Sequence, residues 1–162
     1  MNTYKDYSIK IHRRIYKEYE ELQKANETEL GVKMVGDNIH KWKAFIKGPP
    51  GTPYDGAIFK FDIEFPTNYP LMPPKLHFTT PVWHPNFDED SGSICLDILK
   101  SEWSPALSVH KVLISVISLL NDPNPHSPLN GLAAQQYMNR PQEFASKVKK
   151  WNLLHGAKTT EL

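Results

Sequence analysis

The run AIFKFDIEF, from Ala57 to Phe65, alternates without a break. Ala57, Phe59, Phe61, Ile63 and Phe65 take one set of positions, and Lys60, Asp62 and Glu64 fall in the other. Side chains of a strand point to opposite faces in turn, so the pattern predicts a strand over 57–65 with one apolar and one charged face. Two shorter runs of β character precede it, at about 31–35 and 40–47. In the second, Trp42, Ala44 and Ile46 alternate against Lys41, Lys43 and Lys47. GPPGTPYDG between Lys47 and Ala57 is rich in turn formers, which makes these neighbours antiparallel in a meander. KLHF (75–78), after the proline-rich YPLMPP, supplies a fourth strand.

Helical spacing frames the strands. Ile11, Ile15, Tyr19 and Leu22 share one face, while Arg13, Arg14, Lys17, Glu18, Glu20 and Glu21 fill the other, predicting an amphipathic helix over about 8–25. Val109, Val112, Leu113, Val116, Ile117 and Leu120 predict a central helix capped by Ser108 and stopped by DPNPHSP. Two further helices are expected at about 129–138 and 140–155. The last has Asn139 and Gln142 at capping-box spacing and Phe144, Val148 and Trp151 facing inward. The fold class is therefore α+β: an N-terminal helix, a four-stranded antiparallel meander, a long active-site loop, a central helix and two C-terminal helices. With 162 residues the chain supports one core, so a single domain over 1–162, with its core at about 8–155, is expected.

Between Thr79 and Ser108 no period is visible, and a segment of that length without regular structure is often functional. Many of the 14 prolines cluster in the middle of the chain, which fits long rigid loops. Charge excludes little-matched partners: 19 Lys+Arg against 18 Asp+Glu gives +1, so neither nucleic acid nor membrane binding is expected. The apolar run 109–120 is short of the roughly 20 residues a membrane span needs. MNTYKDYSIK has no signal-peptide core, which points to a cytoplasmic or nuclear protein. One cysteine excludes an internal disulfide and a thiolate-rich zinc site, and the seven histidines lack metal-ligand spacing, so no metal is expected.

That cysteine, Cys95, lies in HPNFDEDSGSICLDIL (84–99), inside the irregular segment. A lone cysteine is commonly a small core hydrophobe, but a loop position favours exposure. A Cys-His hydrolase is one reading, with His84, His110 or His126 as base. Against it stand Asp88, Glu89, Asp90 and Asp97, whose charge favours the protonated thiol. Such surroundings suit a thiol that exchanges an acyl group already activated as a thioester, and they favour a carrier over a hydrolase.

Four linked motifs sharpen this reading: HPN (84–86), a cysteine nine positions after the asparagine in GSICLDIL, WSPAL (103–107) and DPNPHSPL (122–129). Together they resemble the ubiquitin-conjugating enzyme family, and the similarity runs over nearly the whole chain. The resemblance implies that Cys95 accepts ubiquitin from an activating enzyme as a thioester and passes it, with a ligase, to a substrate lysine. No cofactor is implied, because the separate activating enzyme consumes the ATP. Asn86 matches an asparagine credited either with stabilising the oxyanion or with bracing the loop; the first role would be worth about 10²–10³ in rate. Asp97 and Ser127 match positions beside the incoming lysine. His126 stands where many relatives carry aspartate, and is either a solvated loop residue or an aid to deprotonating the acceptor. His84 and Pro85 read as structural parts of a turn.

Partner surfaces follow in the same way. Arg13, Arg14 and Lys17 match the basic helix face shown to the activating enzyme and overlapping the ligase side. Leu71, Pro105 and Ala106 match two loops that receive RING-type ligases, and Leu71 replaces a phenylalanine associated with HECT ligases. A monomer is expected. The nine-residue spacing between Asn86 and Cys95, one longer than in many relatives, is similar to the peroxisomal branch and adds the peroxisome surface to the expected locations.

Overall fold

The computed structural model describes residues 3–162, with side-chain burial from residue 10 onward; residues 1 and 2 of the expected domain lie outside it. Helix α1 (Thr3–Ala25) leads into strands β1 (Leu30–Val35), β2 (Asn38–Lys47), β3 (Ile58–Glu64) and β4 (Lys75–Phe78). A single 3-10 turn (Asp97–Leu99) interrupts the long connection to α2 (Val109–Asn121), and α3 (Gly131–Asn139) and α4 (Pro141–His155) complete the order. The four strands form one antiparallel sheet in the order β1-β2-β3-β4, which is the expected meander.

Register follows the hydrophobic alternation. Ala44 lies opposite Val32 on one side and Phe61 on the other, and Phe61 in turn opposes Phe78. A one-residue slip would turn Trp42, Ala44, Ile46, Phe59, Phe61 and Ile63 out to water, and all six are buried. Fully burying side chains of this size stabilises the fold by about 1.5–3 kcal/mol each. Helices α1 and α2 touch the strands and each other, and Ile11, Ile15, Leu22, Val112, Leu113 and Val116 join the sheet residues in one core.

Two expectations about the helices are corrected. Glu18 was assigned to the solvent face of α1 but is 6% exposed. Its carboxylate accepts from the Tyr69 hydroxyl at 2.5 Å, from the Val109 amide at 2.8 Å and from Arg14 Nε at 3.2 Å. Val109 opens α2, so the buried charge is met by a helix N-terminus, a hydroxyl and a guanidinium. Burial and this carboxylate push the Tyr69 hydroxyl far up from its ordinary range. Helix α4 also begins differently: Pro141 occupies its first turn, the preceding Arg140 makes no side-chain cap, and the Asn139/Gln142 box is absent. Proline has no amide hydrogen to satisfy there and its fixed φ suits the first turn, so one of the unpaired donors of the helix start is absent. Ser108 does cap α2, accepting from the Lys111 amide, and Asn130 caps α3 through the Ala133 amide.

Candidate active site

The segment from Thr79 to Ser108 is irregular but tightly tied. Phe87 and Ile94 form an isolated antiparallel bridge. On its two sides the Cys95 amide donates to Asn86 O at 2.9 Å, and the Asp88 amide donates to Ser93 O at 2.9 Å. Residues 86–95 are thus a short hairpin that sets HPN directly beside the cysteine. Asp88 Oδ1 accepts from the amides of Asp90 and Ser91, both at 2.9 Å, which holds its carboxyl below the usual range. Gly92 closes the turn at φ +75°, and a Cβ there would lie 2.2 Å from Phe78 O. Only glycine fits this position.

His84 is fully buried and anchors the turn from below. Its Nδ1 accepts from the Asn86 amide at 2.9 Å, and its Nε2 meets Leu119 O at 2.8 Å. One neutral tautomer, protonated at Nε2, satisfies both contacts. Burial lowers its pKa from 6.5 to about 4. The ring is therefore held neutral and has no nitrogen free to act as a base.

Asn86 is 1% exposed and its carboxamide is fully engaged. Nδ2 donates to Asn124 O at 2.7 Å and to Ser127 O at 3.2 Å, while Oδ1 accepts from the Asn124 amide at 2.8 Å. Both N–H bonds of the amide end on main-chain carbonyls of the loop 122–128. The Leu129 and Asn130 amides add bonds to Pro85 O. This loop, which carries His126 and Ser127, is consequently clamped against the turn 84–86. His126 and Ser127 are exposed, and the His126 amide is held by Asn124 Oδ1.

Cys95 is half-buried, in the irregular segment leaving the hairpin. Its sulfur lies 3.9 Å from the ammonium of Lys100. To the carboxylates that the sequence places around the thiol, the structure adds a cation. Asp88 is used up inside the turn, Asp97 Oδ1 accepts from the Ile98 amide at the start of the 3-10 turn, and that turn brings a lysine back to the sulfur. Lys100 was missed because five residues of loop separate it from Cys95, and only the 3-10 geometry closes that distance. An open groove of about 550 Å³ borders the same loop, lined in part by Pro74, Leu76, Ile94, Leu99 and Lys100. Among the described residues no imidazole is hydrogen-bonded to the sulfur, and no group of three or more His, Cys, Asp or Glu is placed to hold a metal. His110 bonds Glu27 at 2.7 Å instead.

The other residues singled out by sequence fall in two places. Leu71 is 61% exposed, and Pro105 and Ala106 are exposed on the neighbouring loop. Trp103 Nε1 donates to Pro70 O at 2.9 Å, which ties the two loops together. Arg13 and Lys17 are exposed on α1 and line one shallow depression with Tyr16 and His12. Arg14 is turned differently: Nη2 donates to Pro105 O and Leu107 O, both at 2.8 Å, and so fastens the second loop to α1. Among the described residues no helix is long and apolar enough to cross a membrane.

Comparison with known proteins gives one consistent answer. The family model described as ubiquitin-conjugating enzyme matches residues 14–152. The chain is 44% identical over 140 residues to ubiquitin-conjugating enzyme E2 27 of Arabidopsis thaliana, covering 85% of this chain and 72% of that protein. It superposes on the E2 domain of a Toxoplasma gondii ubiquitin conjugating enzyme with a TM-score of 0.83 at 40% identity, covering 90% of this chain and 99% of that one. A protein of Plasmodium yoelii assigned to the ubiquitin conjugating enzymes superposes with a TM-score of 0.87 at 38% identity, covering 93% and 97% of the two chains.

Proposed function

Because the chain belongs to the ubiquitin-conjugating enzyme family, we propose that it is an active carrier: Cys95 takes ubiquitin as a thioester and passes it to an amine, with a RING-type ligase as third party. The observation that carries this reading is the half-buried Cys95 sulfur on a braced loop with an ammonium, and no imidazole, at its side. In charging, the sulfur attacks the thioester carbonyl of the activating enzyme's conjugate. A new C–S bond forms, the old one breaks, and the partner's thiolate leaves. In discharge, the acceptor amine attacks, the C–N bond forms, Cys95 leaves as thiolate and the nitrogen loses a proton. The Lys100 ammonium faces that departing negative charge, which a nearby cation stabilises.

Asn86, on this reading, acts by position. With both amide N–H bonds committed to the loop 122–128, it fixes the wall carrying His126 and Ser127. That wall and the exposed Asp97 flank the approach of the lysine, whose proton must be lost before attack. Arg13 and Lys17 are free to meet the activating enzyme, whereas Leu71, Pro105 and Ala106 form the ligase platform, and the carrier works as a monomer. The hydrolase reading is disfavoured, since His84 is locked and His110 is paired elsewhere. The spacing of Asn86 and Cys95 supports a place at the peroxisome surface, which a fluorescent fusion compared with a peroxisomal marker tests; diffuse signal in cytoplasm and nucleus would remove it.

The function is tested by incubation with activating enzyme, ATP and a panel of modifiers including ubiquitin. A ubiquitin adduct that thiol reagents dissolve, and that free lysine discharges, is expected. Absence of an adduct with ubiquitin, or its appearance only with another modifier, contradicts the proposal.

A further inference from the structure

Two histidines from separate elements meet beside α1. His12 is exposed on the helix, and His40 is half-buried near the start of β2. Their Nε2 atoms lie 3.1 Å apart, with ring centroids 5.2 Å apart and ring planes at 72°. Sequence spacing hides the pair, because 28 residues separate its members and only the packing of α1 on β2 joins them.

His40 is the fixed member. Its Nδ1 meets Phe65 O at 3.2 Å, and a carbonyl can only accept, so the ring proton sits on Nδ1 and Nε2 keeps a free lone pair. The main chain there is held as well: the His40 amide donates to Asn38 Oδ1 at 3.0 Å, and His40 O accepts from the Phe65 amide at 2.8 Å. A carbonyl behind the far ring nitrogen is the arrangement that orients metal-bound histidines. His12 is the adjustable member, and its Nε2–H donates to His40 Nε2 in the present pair. Because His12 is exposed, water can move that proton to Nδ1, which leaves two unprotonated nitrogens side by side.

We propose that His12 and His40 form a two-point site for a divalent transition-metal ion of borderline softness, such as Zn²⁺, with water completing its coordination. Imidazole suits ions of this class, whereas Mg²⁺ and Ca²⁺ take oxygen ligands. An ion about 2.0–2.1 Å from two nitrogens that are 3.1 Å apart makes an angle of roughly 100° with them, between the octahedral and tetrahedral values. A small turn of the exposed His12 ring aims both lone pairs at that point. The depression beside the pair leaves room for the water; Arg13 and Lys17 line it, but both are exposed and screened, and Glu20 offsets part of their charge. The bound ion ties α1 to β2 and therefore stabilises the folded chain. This depression shares no lining residue with the groove beside Cys95.

The test titrates zinc chloride into the full, tag-free chain carrying Cys95→Ser, which removes the thiol as a rival ligand. Imidazole nitrogen resonances and melting temperature are followed. His12 Nε2 and His40 Nε2 should move together and saturate at one ion per chain, with His40 Nδ1 still protonated and the melting temperature rising with zinc. His12→Ala, at an exposed helix position that keeps the fold, should weaken zinc binding by about tenfold or more and abolish that rise, and His40→Ala should do the same. His110→Ala should bind as its parent does, and magnesium at equal concentration should move neither nitrogen. Undiminished zinc binding in His12→Ala, a response centred on His77, His110 or His126, an equal response to magnesium, or a hydrogen-bonded pair that ignores zinc would each overturn the proposal.

Discussion

Asn86 and His84 divide the labour beneath the thiol. The three hydrogen bonds of the Asn86 carboxamide all serve the loop 122–128. Removing them deprives part-buried main-chain groups of Asn124 and Ser127 of their partners, at a cost of about 1 kcal/mol or more. Asn86→Ala is therefore expected to lower the melting temperature by several degrees and to raise amide exchange at Asn124–Ser127, together with slower discharge. A variant that discharges slowly yet melts and exchanges like wild type would instead assign Asn86 to the oxyanion. His84 makes a separate prediction about pH. Its folded pKa of about 4 lies below the ordinary 6.5, so the unfolded chain takes up a proton first as pH falls. The stabilising contribution is complete above about 6.5 and is lost on acidification toward about 4, amounting to about 3 kcal/mol. Denaturant midpoints across that window should fall in wild type and flatten in His84→Gln. An identical slope in both proteins would place the acid sensitivity elsewhere.

At the level of elements, the hairpin 86–95 decides where the sulfur sits. Gly92 combines a positive φ with a contact that admits no side chain. Gly92→Ala should cost about 2 kcal/mol or more and slow charging, because the segment bearing Cys95 must shift. Unaltered stability and charging would show that the turn has room. The regular elements were legible because alternation and helical spacing report burial directly: β3 and α2 follow the pattern of their apolar residues almost to the residue. The site was legible in part. HPN, the cysteine and DPNPHSP could be read as motifs, but their pairing through Asn86 depends on main-chain carbonyls, which no side-chain pattern encodes. Glu18 failed for a related reason. A carboxylate on a helix surface reads as solvated until a distant tyrosine, the first amide of α2 and an arginine converge on it. Lys100 stayed hidden because a 3-10 turn, not a sequence period, returns it to Cys95.

Across the whole molecule, α1 does more than present charge. Arg14 crosses 91 residues of sequence to hold Pro105 O, and Trp103 carries the link on to Pro70. Arg14→Ala should loosen the platform formed by Leu71, Pro105 and Ala106. Ligase-stimulated discharge is expected to fall by roughly tenfold with charging little changed. The opposite split, slow charging with normal ligase response, would make Arg14 a contact for the activating enzyme. Tension between a buried, braced scaffold and a single accessible sulfur is what a carrier requires, since the acyl group must be held firmly and released only to a presented amine. The most direct measurement is the chemistry of the bond at Cys95. With activating enzyme, ATP and ubiquitin, wild type should gain the mass of one ubiquitin in a form that thiol reagents remove. Cys95→Ser should gain the same mass in a form that thiols leave intact and mild alkali removes. A thiol-labile adduct persisting in Cys95→Ser, or no adduct on either protein, would contradict the assignment of Cys95 as the carrier.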